Sequence, residues 1–244
     1  MEEKIFTIIE NKLIARNTYQ MKLKGEDLSK IRPGQFVNVK LEGFFLRRPI
    51  SVCNVEGDVL TLIYKKVGSG TEVLSQMEEG KLNVLSGLGN GYDLSMSGDK
   101  PLLIGGGVGV PPLYFLARGL RKEGKKITVI LGFNTKDEIF MKEDFEQLGC
   151  QVIITTVDGS KGHKGFVTDV MEDLDYSYFY TCGPLPMLKA VYAKTKSEGQ
   201  FSLEERMGCG FGACMGCTIK VKGGYKRICK EGPVFVKEEL PWQE

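Results

Sequence analysis

Short runs of hydrophobic and polar residues, typical of β-strands, fill the first hundred residues and are separated by turn signals. The predicted strands are Lys4–Glu10, Thr18–Lys24, Phe36–Leu41, Ser51–Val55 and Val59–Lys65. No helical pattern lies between them, so the spacing favours an antiparallel β-barrel over βαβ units. A glycine-rich stretch at 86–91 and a polar stretch at 95–100 indicate a domain boundary near residue 98.

The pattern changes after residue 98. Four short apolar runs predict strands at Pro101–Ile104, Ile127–Leu131, Val152–Thr156 and Tyr178–Thr181. Stretches of helical period between and after them predict helices at Leu113–Arg121, Glu143–Leu148, Val167–Leu174 and Pro186–Lys196. Strands that alternate with helices form a parallel sheet, so this part is predicted to be a Rossmann-like α/β domain.

The last forty or so residues have no pattern long enough for a helix and are rich in glycine. Such a segment buries little apolar surface, and we expect a metal group to organise it. The chain is therefore predicted to have a multi-domain β and α/β fold. Its parts are a β-barrel domain at 1–97, an α/β domain at 98–203 and a small C-terminal module at 204–244.

Composition excludes several classes of function. The 244 residues carry 33 basic and 31 acidic side chains, a net charge of +2 that is too balanced for a nucleic-acid-binding surface. The longest uncharged run, Pro101–Ala117, is shorter than the roughly 20 residues of a membrane span. Met1–Lys4 lacks the features of a signal peptide, so we expect a cytoplasmic protein. The single histidine, His163, argues against His-dependent hydrolases.

Four of the seven cysteines follow the pattern Cys209-x4-Cys214-x2-Cys217-x11-Cys229. The first two spacings match the plant-type ferredoxin pattern for a [2Fe–2S] cluster, and the intervening glycines let backbone N–H groups approach the sulfurs. A zinc site is the alternative, although four-cysteine zinc sites usually have two C-x2-C pairs and this chain has one. We expect the scattered Cys53 and Cys150 to be core residues.

A second motif, Gly105-Gly106-Gly107-Val108-Gly109-Val110-Pro111-Pro112, follows a predicted strand and precedes a helix. Glycines at this position let nucleotide phosphates approach the backbone. The motif departs from the dinucleotide fingerprint, because Val110 stands where the third glycine belongs. A tight strand-to-helix turn without a ligand is the other interpretation.

Two further segments of the barrel domain carry groups that suit phosphates. Arg47-Arg48-Pro49-Ile50-Ser51 offers guanidinium groups and a hydroxyl beside a rigid turn. Gly68-Ser69-Gly70-Thr71 precedes a predicted helix at Thr71–Met77, whose N-terminus suits an anion. Each segment taken alone also fits a solvated arginine pair or an ordinary capped turn.

Taken in order, the barrel with Arg48-Pro49-Ile50-Ser51, the glycine-proline turn and Cys182-Gly183-Pro184 resemble the ferredoxin reductase superfamily. The tail resembles one family within it, the electron transfer subunits of class B dihydroorotate dehydrogenases. Two segments carry this second resemblance: the run from Glu205 to Cys217 and the run Glu231-Gly232-Pro233-Val234-Phe235.

The resemblance implies three cofactors: FAD between the domains, NAD on the α/β domain and a [2Fe–2S] cluster in the tail. It implies that FAD is bound by Arg48, Pro49, Ile50, Ser51, Ile63, Tyr64, Lys65, Gly70 and Thr71. It implies that NAD is bound by Gly105, Gly106, Gly107, Gly109, Asp158, Cys182, Gly183 and Pro184. The cluster ligands would be Cys209, Cys214, Cys217 and Cys229. No residue is expected to act as a catalytic acid or base.

The resemblance also implies a partner, the FMN-containing catalytic subunit of dihydroorotate dehydrogenase, in a heterotetramer with two copies of each chain. Electrons would pass from that FMN through the cluster and FAD to NAD, in pyrimidine biosynthesis. NADH is favoured over NADPH, because Gly132-Phe133-Asn134-Thr135 contains no arginine for a 2′-phosphate. Many superfamily members have an aromatic residue where Ile50 stands and a C-terminal aromatic over the flavin, so what gates the access of the nicotinamide to the flavin stays open.

Two other functions fit the same motifs. A flavin and iron–sulfur subunit of a hydrogenase or of an electron-bifurcating transhydrogenase would have the same domain order. A nucleotide-binding regulatory module with a structural zinc site belongs to another class, and it would lack the visible absorption of flavin and cluster. Met215, Ile219, Ile228, Phe235 and Trp242 are expected either to dock a partner or to pack beneath the cluster.

Overall fold

A closed antiparallel β-barrel forms the N-terminal part of the chain. In this computed structural model, which describes residues 1–242, the barrel strands follow the order β1-β2-β5-β4-β3-β6. Its elements are β1 (Glu2–Ala15), β2 (Thr18–Lys24), β3 (Phe36–Lys40), β4 (Arg48–Glu56), β5 (Val59–Lys65), α1 (Ser69–Ser75) and β6 (Lys81–Leu88). The five predicted strands and the barrel are confirmed. The sixth strand, β6, was not predicted, because Asn83, Ser86 and Gly87 interrupt its apolar pattern.

A parallel sheet with helices on its faces follows the barrel. Its elements are β7 (Pro101–Gly106), α2 (Val110–Lys122), β8 (Thr128–Phe133), α3 (Lys142–Gln147), β9 (Gln151–Thr156), β10 (His163–Lys164), β11 (Tyr178–Cys182), α4 (Leu185–Lys194) and β12 (Gly199–Ser202). The four predicted strands are present and pair in parallel. A buried hydrophobic cluster lies on each face of this sheet.

The predicted helix over Val167–Leu174 is wrong. Only a single 3-10 turn, Val167–Asp169, forms there. Val167 and Met171 are buried, as the helical period suggested, but Val-Thr-Asp-Val consists of weak helix formers. The Asp169 carboxylate accepts a hydrogen bond from the Phe166 N–H at 2.7 Å and closes the turn.

The C-terminal segment contains β13 (Thr218–Val221), β14 (Gly224–Arg227) and β15 (Val234–Val236). The first two form a hairpin, and β15 pairs antiparallel with β12, opposite Phe201 and its neighbours. The tail therefore adds a seventh, edge strand to the sheet of the α/β domain. The proposed divisions at 97/98 and 203/204 stay predictions.

Most of the apolar residues noted in the tail pack inward. Ile228 and Phe235 are each 1% exposed, and the Trp242 ring lies 5.5 Å from the rings of Tyr192 and Phe201. Only Met215, 55% exposed, projects outward. No helix in the described part of the chain, residues 1–242, has the length and apolar character needed to cross a membrane.

Candidate functional site

A cavity of about 700 Å³ lies between the barrel and the carboxyl edge of the parallel sheet. Among the residues predicted from the sequence, it is lined by Pro49, Ser51, Lys65, Gly106, Gly107, Gly109, Cys182, Gly183 and Pro184. The carboxyl edge of a parallel α/β sheet is where such folds bind nucleotides. The structure therefore brings the barrel motif and both turns of the α/β domain to one opening.

Strand alternation divides the barrel residues into two sets. Pro49, Ser51 and Lys65 line the cavity, whereas Ile50 lies in the barrel core. Tyr64 is also inside: its hydroxyl donates to the Asn11 side-chain oxygen at 3.0 Å, and burial raises the pKa of this phenol to about 12. Because successive residues of a strand point to opposite faces, Ile50 and Tyr64 offer a cofactor their backbone and not their side chains.

Arg48 and Gly70 lie against each other at the start of α1. A Cβ on Gly70 would come within 2.1 Å of Arg48 Nε, and the guanidinium lies 4.4 Å from the centre of the Phe44 ring. The neighbouring Thr71 hydroxyl is already engaged, because it donates to Gly68 O and accepts from the Val67 and Gly68 N–H groups. What remains for an anion at this turn is the first-turn backbone N–H groups together with Arg48.

The glycine-rich turn is shaped mainly by close packing of the chain on itself. A Cβ on Gly109 would lie 2.3 Å from the Cys182 carbonyl oxygen, and one on Gly106 would lie 2.5 Å from Met187 Sδ. A Cβ on Gly105 would lie 2.9 Å from a Val110 methyl group. Gly107 differs, because it has a left-handed φ of +52° and open space around its missing side chain. Only Gly107 therefore leaves free room for a ligand.

Asp158 lies two residues after β9, in a tight polar turn beside the cavity. Its carboxylate accepts hydrogen bonds from the Ser160 N–H at 2.9 Å and from the Ser160 hydroxyl at 2.6 Å. These bonds lower the pKa of Asp158, so the group is charged at neutral pH. Asp158 does not line the cavity itself, but its neighbour Val157 does.

Three acidic residues of the cavity wall were missed from the sequence. Glu138 binds Lys65 across the two domains at 3.2 Å and accepts from the Asn134 amide at 2.9 Å. Glu204 and Glu205 follow β12 and line the cavity as well. Desolvation, and then the Glu205 charge, raise the pKa of Glu204. These residues have no sequence motif around them, and only the fold brings them to the cavity.

Replacing Glu138 with glutamine is expected to lower the free energy of unfolding by about 1 kcal/mol at pH 7. Burial opposes the charge of Glu138, but its bonds to Asn134 and Lys65 bring the pKa below the usual value of 4.5. A lowered pKa adds stability above pH 4.5 and loses it as the pH falls through the folded-state value. The difference between wild type and Glu138→Gln should therefore shrink toward pH 3.

Urea unfolding followed at several pH values measures that difference. Glu172→Gln is the matched control, because it breaks an ion pair with Lys194 that is exposed and far from the cavity. We expect the control to leave stability nearly unchanged, because solvent screens an exposed ion pair. An effect of Glu138→Gln that does not depend on pH would contradict the assignment.

The four cysteines of the tail form two pairs. In the first pair, the Cys209 sulfur accepts from the Ala213 N–H at 3.2 Å, and the Cys214 sulfur accepts from the Cys209 N–H at 3.4 Å. In the second pair, the Cys217 sulfur accepts from the Cys229 N–H at 3.4 Å. In the residues that the structure describes, no three His, Cys, Asp or Glu side chains converge on a site for a single ion.

The donor set fits an iron–sulfur cluster. Burial disfavours the thiolate of Cys209, but backbone N–H groups of Phe211, Cys214 and Ala213 outweigh it and lower the pKa of this thiol to about 6. N–H groups aimed at thiolates are the usual surroundings of such clusters. Two sulfur pairs also suit two irons with two protein ligands each, whereas zinc takes four ligands around one point.

The cysteine segment lies next to the cavity. Glu204, Glu205 and Met207 line the cavity, and Cys209 follows two residues later. Pro233, just after the hairpin, lines the cavity as well. The cysteine site therefore lies beside the cavity that the barrel and the turns of the α/β domain share.

Comparison with known proteins agrees with this geometry. The sequence model of the iron–sulfur cluster binding domain of dihydroorotate dehydrogenase B matches residues 204–241, and that of the oxidoreductase NAD-binding domain matches 103–193. The dihydroorotate dehydrogenase B (NAD(+)) electron transfer subunits of Fusobacterium nucleatum and Geobacillus sp. are 43% and 44% identical to this chain. These alignments cover 96% and 98% of this chain, and 96% and 99% of the relatives.

A solved structure shows the same architecture. The NADH-dependent reduced ferredoxin-NADP oxidoreductase, described in work on flavin-based electron bifurcation, superposes with a TM-score of 0.89 at 32% identity. The match covers 98% of this chain and 91% of that one. Fold and site therefore define an oxidoreductase of the ferredoxin reductase type, with an iron–sulfur segment at its C-terminal end. The predicted cofactors, an iron–sulfur cluster, FAD and NAD, agree with this class.

Within that class the assignment is specific. The chain belongs to the family of dihydroorotate dehydrogenase B (NAD(+)) electron transfer subunits. The predicted resemblance is confirmed.

Proposed function

We propose that this chain passes electrons between NAD and a dihydroorotate-oxidising catalytic subunit, through FAD and a [2Fe–2S] cluster. One observation carries the proposal: the cavity between the barrel and the sheet is also lined by the segment that leads into the cysteine loop. When bound, FAD exchanges electron pairs with NAD as hydride and single electrons with an iron–sulfur cluster, so it converts one kind of transfer into the other.

The barrel supplies the flavin side of the cavity. Pro49 and Ser51 present a rigid apolar surface and a hydroxyl, and Lys65 borders the opening where it binds Glu138. Arg48, packed on Gly70 at the start of α1, carries the positive charge for the pyrophosphate. Ile50, Ile63 and Tyr64 support this surface from within the protein, since all three are buried.

The α/β domain supplies the nicotinamide side. Gly107 leaves room for a phosphate, and Cys182, Gly183 and Pro184 form the adjacent turn. Burial raises the pKa of the Cys182 thiol to about 12, so this group stays neutral. Cys182, Gly183 and Pro184 carry no charge, so this turn holds the reactants in place without itself moving a proton.

Replacing Asp158 with asparagine is expected to reduce the preference for NADH over NADPH about tenfold. A charged carboxylate near the ribose repels a 2′-phosphate, and asparagine removes the charge while keeping an oxygen for Ser160. Steady-state kcat/KM values for the two nucleotides, measured with ferricyanide as acceptor, check this. Asp99→Asn is the matched control, because its carboxylate is fully exposed at the opposite edge of the sheet.

An unchanged ratio of the two kcat/KM values in Asp158→Asn would contradict a role of Asp158 in selecting the nucleotide. An equal change in Asp99→Asn would show that the ratio responds to net charge alone.

The finer parts of the proposal concern the assembly. The name of the relatives implies a catalytic partner subunit. We propose an FMN-containing partner, a heterotetramer with two copies of each chain, a cytoplasmic location and a place in pyrimidine biosynthesis. Met215 and Phe211, 55% and 43% exposed beside the cysteines, offer apolar surface for that contact.

Reconstitution tests the function directly. The purified chain, mixed with the dihydroorotate-oxidising subunit from the same organism, should reduce NAD with dihydroorotate, and neither chain alone should do so. Size-exclusion chromatography with light scattering should give the mass of two copies of each chain. Failure to form a complex or to couple the two substrates would contradict the proposal.

A second function is favoured by one observation, the TM-score of 0.89 to an electron-bifurcating oxidoreductase. In that case NADH oxidation would depend on ferredoxin and a different flavoprotein partner. Dihydroorotate would then not reduce NAD in the reconstituted mixture.

A further inference from the structure

A buried asparagine lies where the cysteine loop meets the barrel. Asn38 is the middle residue of β3, and its neighbours Val37 and Val39 face the barrel core. By strand alternation the Asn38 side chain points out of the barrel, yet the residue is only 1% exposed. What covers it is the loop that carries Cys209.

The contact between Asn38 and the loop is close and polar. Asn38 Nδ2 donates to the Cys209 carbonyl oxygen at 3.2 Å. The next residue, Gly210, has a left-handed φ of +76°, and a Cβ there would come within 2.0 Å of Asn38 Nδ2. The loop can approach the barrel this closely only because residue 210 is glycine.

Strand register connects this contact to the cavity. Asn38 on β3 is paired with Pro49 on β4, and paired residues of an antiparallel ladder project to the same face. Pro49 lines the cavity. The side chain that binds the Cys209 carbonyl is therefore the cross-strand neighbour of a residue on the flavin side of the cavity.

Asparagine is a costly residue at this position. It is disfavoured in strands, and its Oδ1 is buried with no hydrogen-bond partner among the described residues. The Cys209 carbonyl oxygen needs a donor, so Nδ2 must face it. Exchanging the positions of Nδ2 and Oδ1 would break this bond and place two oxygens together. An apolar residue would avoid this cost, and a local cost of this kind is typical of functional positions.

We propose that Asn38 is a positioning residue that holds the Cys209 end of the iron–sulfur loop against the strand pair lining the flavin side of the cavity. This inference rests on the proposed function. Asn38 acts through the loop backbone, which fixes where the Cys209 sulfur lies relative to Pro49. Removing the Asn38 side chain frees the loop to move away from the barrel, while the sheet and the two turns that line the cavity stay intact.

Three variants test the contact from both sides. Asn38→Ala removes the donor, Asn38→Asp keeps the shape but places an acceptor against the Cys209 carbonyl, and Gly210→Ala pushes the loop away. In each, iron should pass to a chelator about tenfold faster than in wild type, as expected for a lost buried hydrogen bond. In stopped-flow experiments with NADH, bleaching of the flavin should keep its rate, and reduction of the cluster should slow about threefold or more.

Gln200→Ala is the matched control. Gln200 is a buried amide on β12 of the α/β domain, and it binds the backbone of Asp93 at 2.9 Å. It should lower the melting temperature as Asn38→Ala does, with iron release within about twofold of wild type. If Asn38→Ala fails to fold, Gly210→Ala tests the same contact from the side of the cysteine loop.

The possible outcomes separate the two claims. Wild-type iron release and cluster reduction in a folded Asn38→Asp or Gly210→Ala would overturn the role of Asn38. Equal acceleration in Gln200→Ala would show a general loss of stability and would also overturn it. A wild-type chain that binds no iron would instead contradict the proposed function.

Discussion

Replacing Cys229 with serine is expected to lower dihydroorotate-driven NAD reduction at least about 100-fold in the reconstituted complex. Cys229 is 2% exposed, and its N–H donates to the Cys217 sulfur at 3.4 Å, so it is held beside another predicted ligand. A serine hydroxyl has a far higher pKa than a thiol and does not replace the thiolate. Iron content should fall below one atom per chain.

The same variant should keep its nucleotide chemistry. The cavity residues lie on other elements, so NADH should reduce bound flavin within about threefold of the wild-type rate. Cys150→Ala is the matched control, because Cys150 is buried in the core of the α/β domain, where burial raises the pKa of its thiol to about 11. Full iron content in Cys229→Ser, or iron loss in Cys150→Ala, would contradict the ligand assignment.

Replacing Gly109 with alanine is expected to raise the KM for NADH about 100-fold. The backbone at Gly109 has a φ of −79°, which alanine adopts freely, so strain is not the cause. The added Cβ would lie 2.3 Å from the Cys182 carbonyl and 2.6 Å from the Gly183 N, and the two turns must move apart. A displacement of about 1 Å at a binding site costs roughly two orders of magnitude.

Steady-state kinetics with ferricyanide as acceptor, together with NADH titration by fluorescence, measure this effect. Gly124→Ala is the control: its φ of +77° costs about 1 kcal/mol of stability, but open space surrounds it and it lies away from the cavity. The control should keep the wild-type KM. A normal KM in Gly109→Ala would show that the packing of the two turns does not shape the nucleotide site.

The elements with strong local patterns were predictable from the sequence. Five barrel strands and four parallel strands carry enough apolar residues to be recognised, and the cysteine spacing is itself a motif. Strands β12 and β15 were missed because four and three residues are too few for a period. The helix predicted over 167–174 does not form. Val167 and Met171 are buried because they pack against the sheet, and the residues there have low helix propensity.

The site was less predictable than the fold. The motifs named residues that meet at one cavity, but strand alternation decides that Ser51 faces it and Ile50 does not. Glu138 and Asn38 became visible only through contacts with residues 73 and 171 positions away. Such pairs depend on register and domain packing, which no local pattern encodes.

In the proposed function, a single chain links a nucleotide site to an iron–sulfur site. An anaerobic titration of the purified chain with NADH, followed in the visible region together with iron analysis, tests it most directly. We expect bleaching of the flavin absorption and partial reduction of the cluster, with two irons per chain for a [2Fe–2S] centre. A colourless chain that binds zinc at its cysteines, and that stays colourless after reconstitution with FAD, iron and sulfide, would contradict the account.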